Sequence, residues 1–266
     1  RGLTGGCTDH RKGLVRVKDL GFTSVWITPP FRQRFVQGSS AAYHGYWPLD
    51  LMTVDPHLGT ERDFGTFVAC AHRLGLKIYL DVVVNHTADV IIPSGGTAWI
   101  GPEQAPYRDC HGRRFDPAHY AGRSTFPCLR PQDMPHPPVV LEADRHAKRP
   151  PWLNDVTNYH NRGDIDWSSC SEMCLEQGDF YGLDDLFTEK PGVVRGLADV
   201  YSSWIRRFKV DGFRVDAARH VDRAFFRAWA PRILAAAQAA GVPGFQIFAE
   251  AWIDSAIDLA DLARKR

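Results

Sequence analysis

Stretches in which apolar residues recur at helical spacing alternate with short apolar runs typical of buried strands, and their order predicts the elements. Residues 10–20 read as an amphipathic helix that Gly21 closes as a C-terminal stop. Thr23 to Thr28 is a strand, broken by Pro29 and Pro30. After a long loop carrying YHGYW at 43–47, a helix is expected over 60–74, then Gly75 and a strand from Lys77 to Val84. Strand, helix, strand at this spacing is a βαβ unit, so the sheet is expected to be parallel with its faces covered. The pattern stops from Thr87 to about Lys190, a stretch rich in Pro, Gly, His and Asp. About a hundred irregular residues exceed an ordinary loop and are expected to form an inserted subdomain, stapled by cysteines and a metal. Regularity returns with a helix at about 191–208, a strand at 212–216, a helix at about 222–240 and a strand at 245–250.

This order gives an α/β fold with three parts: 1–86 as the first part of a β/α barrel, 87–190 as the insert, and 191–266 as the barrel continued. A complete eight-unit barrel takes about 250 residues, and about 160 remain here once the insert is set aside. With four strands visible, the expectation is roughly half of a (β/α)8 TIM barrel, cut at both ends. The opening Arg1-Gly2-Leu3-Thr4, without Met or a signal peptide's charged and apolar regions, is expected of a processed or trimmed product.

Three of the strands end in chemistry. GFRVD at 212–216 places Arg214 and Asp216 two residues apart, hence on one face of the strand. A cation beside a carboxylate is expected to lower its pKa and keep it ionised, which suits a nucleophile. FAEAW at 248–252 ends a second strand in Glu250, and DVVVNH at 81–86 gathers Asp81, Asn85 and His86 at the end of a third. Polar residues finishing successive parallel strands describe an active site on one rim of the sheet.

Composition narrows the classes. The chain has 266 residues, 44% of them hydrophobic, and can bury a large core. A net charge of +1 argues against electrostatic nucleic-acid binding, and no apolar run reaches the ~18–20 residues of a membrane span. Six cysteines stand at 7, 70, 110, 128, 170 and 174. The last four lie in the insert and are expected to pair as Cys110–Cys128 and Cys170–Cys174 in an oxidising compartment. Cys70, inside a helix, reads as a small buried residue. Zinc is the rival for the four loop cysteines, but no C-x2-C pair is present.

Taken together these segments resemble the α-amylase family of glycoside hydrolases. The resemblance rests on GFTSVWITP at 21–29, YHGYW at 43–47, DVVVNH at 81–86, LDDL at 183–186, GFRVDAARH at 212–220 and FAEAW at 248–252, in the family order. It implies a (β/α)8 barrel with a domain inserted after the third strand, and a retaining hydrolase of α-1,4-glucans such as starch. Asp216 is then the nucleophile, Glu250 the general acid/base, its pKa raised by burial and by Asp216, and Arg214 the group that orients Asp216. His44 and His86 are expected to bond sugar hydroxyls, Tyr46 to stack on the ring, and Trp47 to share that loop. Arg219, His220 and Trp252 are expected on the leaving-group side, and Asp81 in an orienting hydrogen bond. The resemblance also implies calcium between barrel and insert, held by Asn85, Asp185, the His220 carbonyl and the Glu172 carbonyl. It further implies a secreted or periplasmic protein, monomeric at full length. The family's third essential carboxylate follows the seventh strand, so these 266 residues alone are not expected to be a competent hydrolase. An α-glucosidase or glucan transferase shares the chemistry. A non-catalytic barrel platform and a magnesium-dependent barrel enzyme acting on acids are the other classes considered.

Overall fold

The computed structural model describes residues 7–252. Helix α1 (Gly13–Asp19) leads into strand β1 (Ser24–Ile27). The expected stop at Gly21 is present: its φ is +88°, and the amides of Gly21 and Phe22 return to the carbonyls of Lys18 and Val17. Strand β2 (Phe31–Gln33) pairs antiparallel with β3 (Pro48–Val54), a hairpin that the loop pattern did not predict. Helix α2 (Glu61–Arg73) opens on a capping box, in which Thr60 and Asp63 each bond the other's backbone amide. Strand β4 (Lys77–Val83) follows, then the two-residue β5 (His86–Thr87).

From Ala88 to Leu183 the chain runs through 3-10 turns, short bridges and one six-residue helix, α3 (Glu172–Gln177). The segment's two ends meet where β5 pairs antiparallel with β6 (Asp184–Asp185). Helix α4 (Pro191–Phe208), strand β7 (Gly212–Asp216), helix α5 (Arg223–Ala239) and strand β8 (Gln246–Ala249) complete the described chain. Strands β1, β4, β7 and β8 form one parallel sheet in that order.

Period-two alternation assigns the two faces of this sheet. Ile78, Leu80, Val82, Phe213 and Val215 are fully buried under α4 and α5, against Leu197, Tyr201, Trp204, Trp229 and Ile233. The opposite face is set by register: Trp26 lies beside Tyr79, Tyr79 beside Gly212, Asp81 beside Arg214, and Arg214 beside Phe248. Gly212 has to be glycine, because a Cβ there would lie 2.5 Å from both the Tyr79 ring and the Gln246 carbonyl oxygen. The apolar outer face buries the sheet, and the inner face carries the polar groups toward the C-terminal rim.

The sulfurs of Cys110 and Cys128, and of Cys170 and Cys174, lie at disulfide distance, with Cα separations of 5.4 Å in both pairs. Cys70 is fully buried as expected, but it is not an isolated thiol: its sulfur meets that of Cys7.

Candidate active site

Arg214 is the centre of the inner face. Its Nη1 donates to both oxygens of Asp81, at 3.0 Å each, and to Asp216 Oδ1 at 2.7 Å. Its Nη2 reaches Glu250 Oε1 at 2.7 Å. Three carboxyls on three adjacent strands therefore share one guanidinium, which the rigid parallel register makes possible. Asp81 Oδ2 also accepts from Tyr46 OH at 2.9 Å and Trp26 Nε1 at 3.1 Å. Glu250 Oε2 accepts from the amide of Ala217 at 3.0 Å. Ala217 has a left-handed φ of +50°, and this turn directly after Asp216 aims that amide at Glu250.

One expectation about this group is corrected. Arg214 does not hold Asp216 below the usual carboxylate range; burial and the charge of Asp81 push it up to about 7, outweighing the guanidinium. Glu250 stands at the end of the outermost described strand of the sheet, where 39% of its side chain is exposed among the described residues.

A cleft of about 960 Å³ opens over Asp216 and Glu250 and is lined by His44, Tyr46, Trp47, His86, Arg219, His220 and Trp252. All the substrate-contact residues expected from the sequence are thus in one cavity. The loop at 43–47 reaches it because Gly45, at φ +93°, lets the backbone pass where a Cβ would lie 2.5 Å from the Pro29 carbonyl oxygen. His44 and Tyr46 stack at 16°, 5.7 Å between centroids. His86 is only 2% exposed, burial lowers its pKa to about 4, and its Nε2–H donates to the Tyr46 carbonyl at 3.1 Å. In this structure it braces the loop as well as lining the cleft. Arg219 donates to the Trp252 carbonyl at 3.2 Å, which ties the two rim residues together.

Sequence reasoning missed the opposite wall. Trp167 stacks on Tyr181 at 25° and 5.3 Å, and Phe180 meets both edge-on. These residues belong to the irregular segment, where no periodicity assigns a face. It missed Trp26 as well, although the alternation within its strand places it on the inner face.

The expected calcium ligands separate into two groups. Asn85 Oδ1 and Asp185 Oδ1 are buried oxygens without a hydrogen-bond partner, and the Asn85 amide acts on the Asp185 carboxyl. Two orphaned oxygens on adjoining residues suit a hard cation. His220 turns its Nδ1–H to the Leu175 carbonyl at 2.8 Å, linking the rim to α3. The Glu172 side chain, 74% exposed, pairs with Arg223 at 3.2 Å and lines a different cavity. His160, not foreseen, donates from Nδ1 to Asp185 at 2.5 Å and from Nε2 to Glu189 at 2.9 Å. Burial opposes its charge, yet the two carboxylates raise it to about 9. The group Cys110, His111 and Cys128 lies close enough to hold a metal, but its two sulfurs face each other at bonding distance.

The alpha-amylase family model, described as alpha amylase, catalytic domain, matches residues 6–235. The chain belongs to the alpha-amylase family. It is 42% identical to an alpha-amylase of Streptomyces lividans over 251 residues, which is 91% of this chain and 27% of that protein. A cyclomaltodextrin glucanotransferase of Geobacillus stearothermophilus is 28% identical over 82% of this chain and 27% of its own length. The crystal structure of an alpha-amylase from Geobacillus thermoleovorans complexed with acarbose superposes with a TM-score of 0.61 at 28% identity, covering 93% of this chain and 41% of that one. The fold is thus the family's (β/α)8 barrel, of which the described four-stranded parallel sheet is a part. The chain spans about a quarter of the length of the curated relatives it matches.

Proposed function

We propose that the protein hydrolyses α-1,4-glucosidic bonds of starch-like glucans with retention of configuration. The observation that carries this reading is the single guanidinium of Arg214 bridging Asp216 and Glu250 at the ends of neighbouring strands. Retaining glycosidases place nucleophile and acid about 5–5.5 Å apart, and one bridging guanidinium enforces a separation of that order. Asp216 attacks the anomeric carbon while Glu250 gives its proton to the departing glycosidic oxygen, leaving a covalent glycosyl ester. Glu250 then takes a proton from water, which releases the sugar and restores Asp216. Asp81 anchors Arg214 from below. Tyr46, Trp47 and the Trp167–Tyr181 wall offer flat faces to pyranose rings, and Arg219, His220 and Trp252 line the side next to Glu250.

The glucanotransferase relatives favour a second reading of the same chemistry, in which a sugar hydroxyl replaces water in the second step. We further propose residues 1–86 and 191–266 as barrel and 87–190 as insert, with calcium held by Asn85, Asp185 and the His220 carbonyl. Bound there, calcium would join insert to barrel and neutralise buried oxygens, with no part in bond cleavage. The three cysteine pairs support an oxidising, secreted or periplasmic location.

The test is Asp216→Asn in the protein at its full natural length. Turnover on soluble starch should fall by at least about 10³ while oligosaccharide binding persists. A mechanism-based fluoro-sugar trap should label Asp216; labelling elsewhere, or unchanged turnover, would end this assignment. Product analysis on the same substrate separates linear from cyclic or transferred glucans.

A further inference from the structure

Trp26 lies on β1, two strands away from Asp216, and still touches the group that holds the nucleophile. Its Nε1–H donates to Asp81 Oδ2 at 3.1 Å. Its ring faces the Arg214 guanidinium, 5.2 Å from the ring centroid to Cζ. Among the described residues its specific contacts are these two. Both of its specific contacts are polar and both converge on one pair, Asp81 and Arg214.

We propose that Trp26 is a positioning residue for the reaction, setting the plane of the Arg214 guanidinium and through it the attack geometry of Asp216. The proposal rests on the reading of Asp216 as nucleophile. Asp81 is fully buried and needs every donor it has, from Trp26, Tyr46 and Arg214. Arg214 must serve Asp216 through Nη1 and Glu250 through Nη2 at the same time, so rotation of its plane loosens one or the other. Asp81 fixes Nη1 from the edge, and the indole face blocks rotation from the side with a cation–π contact. Phenylalanine offers the face without the N–H, and leucine offers neither.

Trp26→Phe and Trp26→Leu, in the protein at full natural length, separate the two contacts. A misplacement of about 1 Å at a reacting group costs roughly 10² in rate. We expect kcat on soluble starch to fall about tenfold for Trp26→Phe and about a hundredfold for Trp26→Leu, with KM within about twofold. In an Asp81→Asn background, Trp26→Phe should add nothing further, because its effect runs through Asp81. Titration of the Asp216 carboxyl by 13C NMR gives a readout independent of turnover. Asp216 faces Asp81, Arg214 and Glu250, with Tyr46 beyond, and loss of the indole should move its midpoint upward as the guanidinium swings away. Wild-type kcat in both variants, or an unmoved Asp216 midpoint in Trp26→Leu, would overturn the proposal. Failure of the glycosidase reading looks different: the unsubstituted protein releases no sugar and Asp216→Asn changes nothing, and the titration still decides on Trp26.

Discussion

At the scale of single residues, the site places the proton equilibrium of the proposed nucleophile inside the physiological range. Asp216 moves from an ordinary 3.8 to about 7, first because it is buried and second because Asp81 lies beside it. The native protein therefore keeps a proton that the unfolded chain has lost. Between pH 3.8 and about 7 this carboxyl makes folding progressively less favourable as pH rises. Turnover runs in the opposite sense, since attack needs the ionised form. The acid limb of kcat/KM should rise through about pH 7, and in Asp81→Asn it should move to lower pH as the repelling charge disappears. A pH–rate profile with its acid limb near 4 in the unsubstituted protein would refute this account. Asp216, Arg214 and Glu250 were legible as a site from period-two spacing and strand order alone. The direction of the Asp216 shift was not, because GFRVD reveals one neighbouring cation but neither the burial nor the Asp81 carboxyl on the next strand.

Among elements, the long apolar ones were foreseen to within a few residues, since α2, α4 and α5 each repeat an apolar face over three turns or more. The β2–β3 hairpin was missed because β2 is only three residues long and β3 buries Asp50 and Leu51 in succession, so neither shows the sustained alternation that marks a strand. The segment between β5 and β6 gave no pattern for a different reason: polar staples replace a continuous apolar stripe. Lys148, 2% exposed, pairs with Asp184, whose oxygens also accept the amides of Val90 and Ile91. Its Nζ lies 4.0 Å over the Tyr159 ring. Removing one partner of a buried pair leaves the other uncompensated, at a cost of about 3–5 kcal/mol. Lys148→Ala should lose stability of that order in denaturant unfolding. A change below about 1 kcal/mol would mean that water solvates Asp184 in its place.

For the molecule as a whole, the proposed calcium and the two cysteine pairs between β5 and β6 act on the same region and can be separated in one melting experiment. A ligand bound only by the native state raises Tm by mass action, and a cross-link raises it by restricting the unfolded chain. A chelator should lower Tm reversibly with re-addition of calcium, and a reductant should lower it further. Insensitivity to the chelator, with no calcium by elemental analysis, would dispose of the metal; insensitivity to the reductant, with free thiols by mass spectrometry, would dispose of the bridges. Charge balance differs between the chain and its cleft. The chain carries a formal +1, yet among the described residues the cleft floor sets Asp81 and Asp216, the two carboxylates that the proposed mechanism keeps ionised, against the cation of Arg214. On the proposed mechanism a neutral glucan brings no charge to that floor, whereas the glycosyl cation of the transition state brings the one it lacks. Sugar mimics with a basic nitrogen should exploit the same deficit. Their affinity should climb by up to about tenfold per pH unit toward pH 7 and then level off as Asp216 becomes fully ionised. Calorimetry with an iminosugar across that range would measure this, and a flat profile would mean that Asp216 does not ionise there.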